Sequence, residues 1–588
     1  MDQKLNVERG EDRLPQSPAP QATVVPMGET WAAGVDALTV SPRSRRLRWG
    51  VAGAVVLAVV VATAAGAFVL SGASGLKSLT TSIAPKNSIA FLEIRTDLPG
   101  DQHANLADFM SHFPGFEDRA QFDNALDELL NQLTSQVSPD LAYTSAFKPW
   151  MEGEVSIAVA DLGSADTSGH TPPSAVAIFA LKDRAAAESW VTSELNQTGI
   201  KSVAQAYAGT TLYTLGAGTG GAYALTDQDL LVGTVDGVKA ALDSKANGSL
   251  ADNSNYQAAM NSLSGDSLAR FYLDPRAVVG YELTNYNAMV GAMLGGVAGA
   301  SPAATLGLSP QDAPAWIAGS VRAESNDMVV DVVMPAPTST GLTNHLSTLA
   351  AALPGTTVGV FEVHSIGKLI TDGLTTLQAK APSDSTASIK NIQDALARFG
   401  GIDWLGDGAA VVTKDASTYG GGFVAEATDA STASAKMALL TNLVALSGGS
   451  LNLTSRSETY KGVNITIIGI PDGPGGSPLQ IAVAASGNLM VAGYTDAFVK
   501  AVIDTSPANS LASQADYSAV MAAAGSSDMG SFYVDIPALE DEIGQAVFAA
   551  SPTRWTQDYK PYFDHVGGVG SSLVNGNTVI LRLVVTAR

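Results

Sequence analysis

The stretch SSDMGSFYVDIPALE (Ser526–Glu540) nearly repeats SGDSLARFYLDPRAVV (Ser264–Val279). Each sets a small polar turn before Phe-Tyr-apolar-Asp and then begins a helix-like segment. The structural reading is a strand whose exit Asp caps the next helix, with Tyr272 and Tyr533 bonding across a core. The functional alternative is a pair of acidic site residues.

Working outward, the two copies extend in both directions. NSIAFLEIR (Asn87–Arg95) resembles TTVGVFEVH (Thr356–His364), with Glu93 opposite Glu362. WMEGEVSIAVADL from Trp150 resembles WLGDGAAVVTKD from Trp404, and SAVAIFALKD from Ser174 resembles GGFVAEATDA from Gly421. AYAGTTLYTL from Ala206 resembles TYKGVNITII from Thr459, and DQDLLVGTVDGVKAALD from Asp227 resembles SGNLMVAGYTDAFVKAVID from Ser486. PAWIAGSVRAESNDMVVDVVM from Pro314 mirrors HVGGVGSSLVNGNTVILRLVV from His565. Order is kept along about 250 residues, which predicts two homologous units in tandem rather than a solenoid.

Each unit mixes runs of strands with helices. Thr211–Leu215, Ala222–Leu225 and Leu230–Gly233 read as a meander, and SND and NGN read as hairpin turns. Apolar positions from Phe122 to Leu133 keep helical spacing. Asp183, Asp236 and Asp496 are candidate helix caps. The predicted class is α+β: one N-terminal transmembrane helix, then two units, each a largely antiparallel sheet packed with helices.

The membrane segment is the apolar run from Val51 to Leu70, long enough to cross about 30 Å of hydrocarbon. Arg43, Arg45, Arg46 and Arg48 precede it and Lys77 follows, so the positive-inside rule puts the N-terminus in the cytoplasm and the bulk outside. A cleaved signal peptide is the alternative, disfavoured by the long n-region. The expected organisation is a disordered cytoplasmic tail (1–48), a membrane helix (49–72), a linker (73–84), a first unit (85–336), a linker (337–350) and a second unit (351–588).

The net charge of −23 disfavours nucleic acid as a partner, and the lack of cysteine excludes disulfides and thiolate chemistry. The glycine run Gly216–Gly221 satisfies G-x-G-x-x-G, but a strand-like segment follows where a phosphate cradle needs a helix. Asp101, His103, Asp108 and His112 form the densest metal-ligand cluster, a weak candidate that reads equally as a solvated helix entry. Glu93 and Glu362 are the acidic pair at matching positions, a weak candidate for paired-carboxylate chemistry. No catalytic residue and no cofactor is assigned.

One segment breaks the symmetry. Residues 283–310 carry no charge, whereas the second copy is charged there. Met289, Val290, Met293, Leu294 and Val297 mark it as a possible interaction segment for a protein or lipid partner. A buried helix or loop is the structural alternative.

Finally, SIAPKNSIAFLEIRTDLPGDQHANLADFMSHFPGF (Ser82–Phe116) resembles the DUF3352-like family of bacterial, mostly actinobacterial, membrane-anchored proteins of unknown function. Asp97, Pro99, Gly100, Asp101 and Gln102 carry the middle of that pattern and Phe113, Pro114 and Gly115 its end, with Leu98 departing from it. The resemblance implies a single-span anchor and an extracytoplasmic domain, and brings no catalytic residues. The expectation is a non-enzymatic binding or scaffolding component of the cell envelope. The alternatives are a hydrolase using carboxylates around Glu93, Asp97, Asp101 and His103, or a lipid carrier between the units.

Overall fold

The computed structural model describes residues 78–588 except 99, 139–140, 167–168, 172, 217–219, 282–308, 338–342, 381–382, 399, 452, 471–478 and 550. The tail, the apolar run 51–70 and the segment bearing Met289, Val290, Met293, Leu294 and Val297 lie outside the described residues. Among the described residues no helix is long and apolar enough to cross a membrane.

The described chain is a mixture of helices around one large antiparallel sheet of twenty strands. Its N-terminal half supplies β1 (Ala90–Arg95), β2 (Met151–Asp161), β3 (Ser174–Leu181), β4 (Ser202–Tyr207) and β5 (Thr210–Leu215). It continues with β6 (Gly221–Leu225), β7 (Asp229–Thr234), β8 (Ala269–Leu273), β9 (Ile317–Ala323) and β10 (Asp327–Pro335). The C-terminal half supplies β11 (Thr357–Val363), β12 (Leu405–Asp415), β13 (Thr418–Ala427), β14 (Thr454–Tyr460) and β15 (Val463–Ile470). It ends with β16 (Leu479–Ser486), β17 (Leu489–Gly493), β18 (Gly530–Asp535), β19 (Val566–Asn575) and β20 (Thr578–Ala587).

The hydrogen-bonded order of the first half is β4-β5-β6-β7-β3-β2-β1-β8-β9-β10. The second half runs β14-β15-β16-β17-β13-β12-β11-β18-β19-β20, the same order strand for strand. β10 pairs with β20, closing the halves into one sheet.

One face of each half carries matching cores. Phe91, Ile178, Leu231 and Tyr272 pack beneath helices Val235–Asn247 and Ser254–Ser262. Val360, Val424, Val491 and Tyr533 pack beneath helices Asp496–Asp504 and Ala515–Ala524. Here the Phe-Tyr-x-Asp motif finds its use. Tyr272 stands edge-on to Tyr256 at 5.5 Å, and Tyr533 edge-on to Tyr517 at 5.2 Å. Asp535 accepts a hydrogen bond from the Ala538 amide at the head of its helix, and Asp274 accepts from Arg276 and Ala277. Asp183 caps helix Arg184–Thr198 through the Ala186 amide. At Asp236 the expectation fails: Thr234 is the cap, taking the Gly237 amide, and Asp236 sits in the first turn. Thr495 holds the cap position of the matching helix, and Asp496 pairs with Lys500. A residue leaving a strand in extended backbone caps better than one already inside the first turn.

Cover on the opposite face differs between halves. In the first, Trp150, Phe179, Val191 and Tyr223 close it under helix Arg184–Thr198. In the second, the buried group is the smaller set Ala427, Ala433, Met437 and Met490. Phe361, Val412 and Phe423 stay exposed there, with Phe361, Ala410 and Phe423 adjacent across three strands.

At the seam, Asp331 of β10 faces Arg582 of β20. Arg582 donates through Nε (2.8 Å) and Nη2 (3.2 Å), and Arg322 adds a second guanidinium. Burial by itself would raise the Asp331 pKa, but these hydrogen bonds and charges outweigh it and hold the carboxyl below its usual range. Asp331→Ala leaves the largely buried Arg322 without this partner and is expected to cost about 2–4 kcal/mol. Arg582→Ala, at a partly exposed position with Arg322 still on Asp331, is expected to cost about 1 kcal/mol. Urea midpoints of the two variants check the ranking. The Asp331 contribution is present above the unfolded carboxyl pKa and fades as pH falls through the lowered folded value.

Candidate functional site

Strands β1 and β11 hold matching interior places in their halves, and each carries ionisable residues at or just past its end that point out of water. On β1, Glu93 and Arg95 are 1% and 3% exposed. The ladder sets Glu93 between Ser156 and Arg270, and Arg95 opposite Glu154. Arg95 holds Asp97 bidentately, Nε to Oδ1 at 3.0 Å and Nη2 to Oδ2 at 2.8 Å, while Nη1 lies 3.2 Å from Glu154. Gly153 makes this approach possible: its φ is +99° and a Cβ there would sit 2.7 Å from Asp97 Cβ.

Glu154 is fully buried and accepts from Ser78 Oγ (2.6 Å), the Leu79 amide (2.9 Å), the Thr80 amide (3.0 Å) and Thr80 Oγ1 (2.8 Å). Residues 78–84, expected as linker, are therefore built into the fold, with Thr80 and Ala84 buried. Burial, and then the charge of Glu154, pushes the Glu93 carboxyl up to about 7.

The second half rebuilds this cluster with other residues. Glu362 takes the place of Glu93, and His364 that of Arg95. Glu362 pairs with Ser531, where Glu93 pairs with Arg270. One step beyond the Val363–Gly408 pair, Asp407 stands beside His364 as Glu154 stands beside Arg95. Aligning Trp150 with Trp404 had set Glu154 against Gly408. The ladders shift that by one residue, because both β2 and β12 carry irregular register near their starts. Ser347, fifteen residues before Glu362 as Ser78 is before Glu93, donates to Glu362 Oε2 at 2.7 Å.

His345 completes the group. It lies in a two-residue ladder opposite Asp528, within the segment expected as linker 337–350. His364 Nδ1 meets the Asp528 carbonyl at 2.7 Å and Nε2 meets Glu362 Oε1 at 3.1 Å. His345 Nδ1 meets the Leu346 carbonyl at 3.1 Å and Nε2 lies 3.4 Å from Asp407 Oδ1. The two imidazoles stack at 4.1 Å, 20° from parallel. Ligand atoms of His345, His364 and Asp407 all fall within 4.8 Å of one another. Burial would lower the His364 pKa, but the hydrogen bond to Glu362 and the charges of Asp407 and Glu362 raise it to about 9. Burial pushes Asp528 up to about 6.

Among the residues expected to carry chemistry, the structure joins Glu93 and Asp97 through Arg95. Asp101 precedes helix Gln102–Met110. On that helix His103 pairs with Asp123 and Asp108 with Arg119; His112 lies just beyond its end. The metal-ligand group found among the described residues contains none of Asp101, His103, Asp108 and His112. Glu93 and Glu362 each belong to the cluster of their own half. Strand β6 follows the glycine run, and the first amide of helix Val235–Asn247 donates to the Gly220 carbonyl. Sequence reasoning missed His345, His364, Asp407 and Asp528. The Arg95-to-His364 exchange, visible in the two aligned strands, was the available signal.

A family model described as protein of unknown function (DUF3352) matches residues 51–457. No curated protein and no solved structure is detectably similar to the chain.

Two outcomes follow from the first cluster. The folded-state pKa of Glu93 is raised, so its contribution is most favourable below the unfolded value near 4.5 and is lost as pH rises through about 7. Glu93→Gln is therefore expected to gain stability over the parent at pH 8 and none below pH about 4.5; denaturant midpoints at the two pH values check it. Glu154→Ala strips the Ser78–Thr80 segment of its acceptor, and limited trypsinolysis at Lys86 is expected to accelerate.

Proposed function

The chain belongs to the family of proteins of unknown function DUF3352, and on that premise we propose a single-pass, membrane-anchored extracytoplasmic protein that binds or scaffolds partners in the bacterial cell envelope. In this reading its two halves are tandem homologous units. Support comes from the shared strand order and from the apolar run 51–70 behind four arginines. With a span over 49–72, residues 73–77 are the tether, roughly 18 Å at full stretch. Glu154 then fastens the chain to the sheet at Ser78. The body is held close to the membrane surface.

The observation that carries the binding reading is the open face of the second half. Phe361, Val412 and Phe423 are 59%, 46% and 43% exposed, and Tyr494 is 64% exposed beside Gly421. Leu92, Ile157 and Ala177, which hold the places of Phe361, Ala410 and Phe423 in the first half, belong to the core under Trp150. An apolar row kept open in one unit and closed in its counterpart suits contact with an apolar partner surface. The hydrolase alternative draws no comparable support, since Glu93 is sealed and Arg95 and Glu154 are occupied internally.

Pull-down from solubilised membranes tests it. Phe361→Ser with Phe423→Ser is expected to remove partners retained by the parent chain and by Val203→Ser, a control at another exposed apolar position. Identical partner sets for all three would end the binding reading. Protease added to intact cells should digest the bulk beyond residue 78; its full survival would end the extracytoplasmic one.

A further inference from the structure

We propose that His345, His364 and Asp407 form a binding site for one divalent cation of the zinc class, set where the first half of the sheet uses a buried guanidinium. This goes beyond the binding reading above and does not depend on it.

The comparison between halves supplies the first argument. In the first half Glu93 and Glu154 share Arg95, and Arg270 approaches Glu93 from the neighbouring strand. The second half keeps both acids as Glu362 and Asp407. It adds Asp528, which lies four residues before Phe532 where Ser267 lies four before Phe271. Yet Arg95 has become His364 and Arg270 has become Ser531. Two permanent positive charges are gone, while Asp528 is gained and Asp97 has become Ile366. Among the described residues the ion pairs of Glu362, Asp407 and Asp528 are with histidines. Carboxylates taken out of water need a cation.

The second argument is the direction of the ring nitrogens. A carbonyl oxygen only accepts, so the Nδ1 facing it must carry the hydrogen in both His345 and His364. Each Nε2 then turns its remaining site toward a carboxylate oxygen. A neutral ring would aim a lone pair at negative charge there. The two Nε2 atoms face different carboxylates, Glu362 for His364 and Asp407 for His345; a divalent cation in place of the ring proton would satisfy the lone pair. An Nδ1–H held by a backbone carbonyl is the outer-partner arrangement that orients metal-binding histidines.

The Asp528 side chain is 3% exposed, and its Oδ1 lies 3.8 Å from His364 Nδ1, across the ring from Nε2. Ligands about 2.1 Å from a shared ion stand at most about 4.2 Å apart, so the trio must contract and the two stacked rings must turn to bring both lone pairs onto one point. His345, with 37% of its side chain exposed, gives access from solvent. Two imidazoles and a carboxylate select Zn²⁺, Co²⁺ or Ni²⁺ over Ca²⁺ or Mg²⁺.

The test uses the purified full chain, stripped with chelator and titrated with Zn²⁺ or Co²⁺ alone. One equivalent is expected to bind, with visible Co²⁺ bands at that stoichiometry and a rise in melting temperature. His364→Arg, which reinstates the first-half residue, should abolish binding without lowering the melting temperature of the metal-free chain. His345→Ala, at a half-exposed position, should weaken binding by about tenfold or more. His103→Ala should leave it unchanged. Absence of a stoichiometric site, or a site that persists unchanged in His345→Ala, overturns the proposal.

Discussion

The antiparallel ladder between β10 and β20 makes one sheet out of two similar halves, and its centre imposes a condition. When equivalent strands pair antiparallel, the residue at the middle of the ladder faces its own counterpart. Here those positions are Asp331 and Arg582. A symmetric pair of identical chains would place like against like, Asp on Asp or Arg on Arg, at a largely buried point. A single chain that encodes both halves escapes the constraint by giving each its own charge. Covalent linkage thus permits an asymmetric seam, and the same freedom reappears in the central clusters.

There the shared requirement is a carboxylate on the central strand, Glu93 or Glu362, out of contact with water. The first half answers with fixed guanidinium charge and spends Glu154 on fastening the chain's entry segment. In the second half the matching entry segment carries His345 and Ser347, and Asp407 takes the Ser365 amide at 2.9 Å. Arginine brings a charge that never leaves; histidine brings one that can be exchanged for a ligand. The first cluster is therefore a fixed anchor and the second an adaptable one.

Much of this was legible in the sequence because strands announce themselves by composition and turns by Gly, Asn and Asp. The Phe-Tyr-x-Asp copies and the Glu93–Glu362 correspondence could be read without coordinates. Three things could not. Register irregularity at the starts of β2 and β12 hid the match of Glu154 with Asp407 behind two aligned tryptophans. Residues 78–84 and 343–350 are short and polar enough to read as linker, although side chains from both complete the buried clusters. The helix after β7 is capped two residues earlier than Asp236 suggests, since Thr234 leaves the strand in the extended backbone a cap needs.

The two asymmetries of the second half are close along the chain. Phe361, exposed, directly precedes Glu362, buried, because successive strand residues point to opposite faces. His364, two residues after Glu362, lies just past the end of the same strand. The open face and the approach to the His364 cluster are thus carried by one strand. In the first half the outer face is filled by Trp150 and its neighbours, and the central cation is covalently part of the chain. Two halves that merely repeated one fold would have both faces closed and both clusters alike. The differences concentrate where one strand carries an open apolar face on one side and a histidine-carboxylate cluster on the other, so that strand is where function in the second half should be sought.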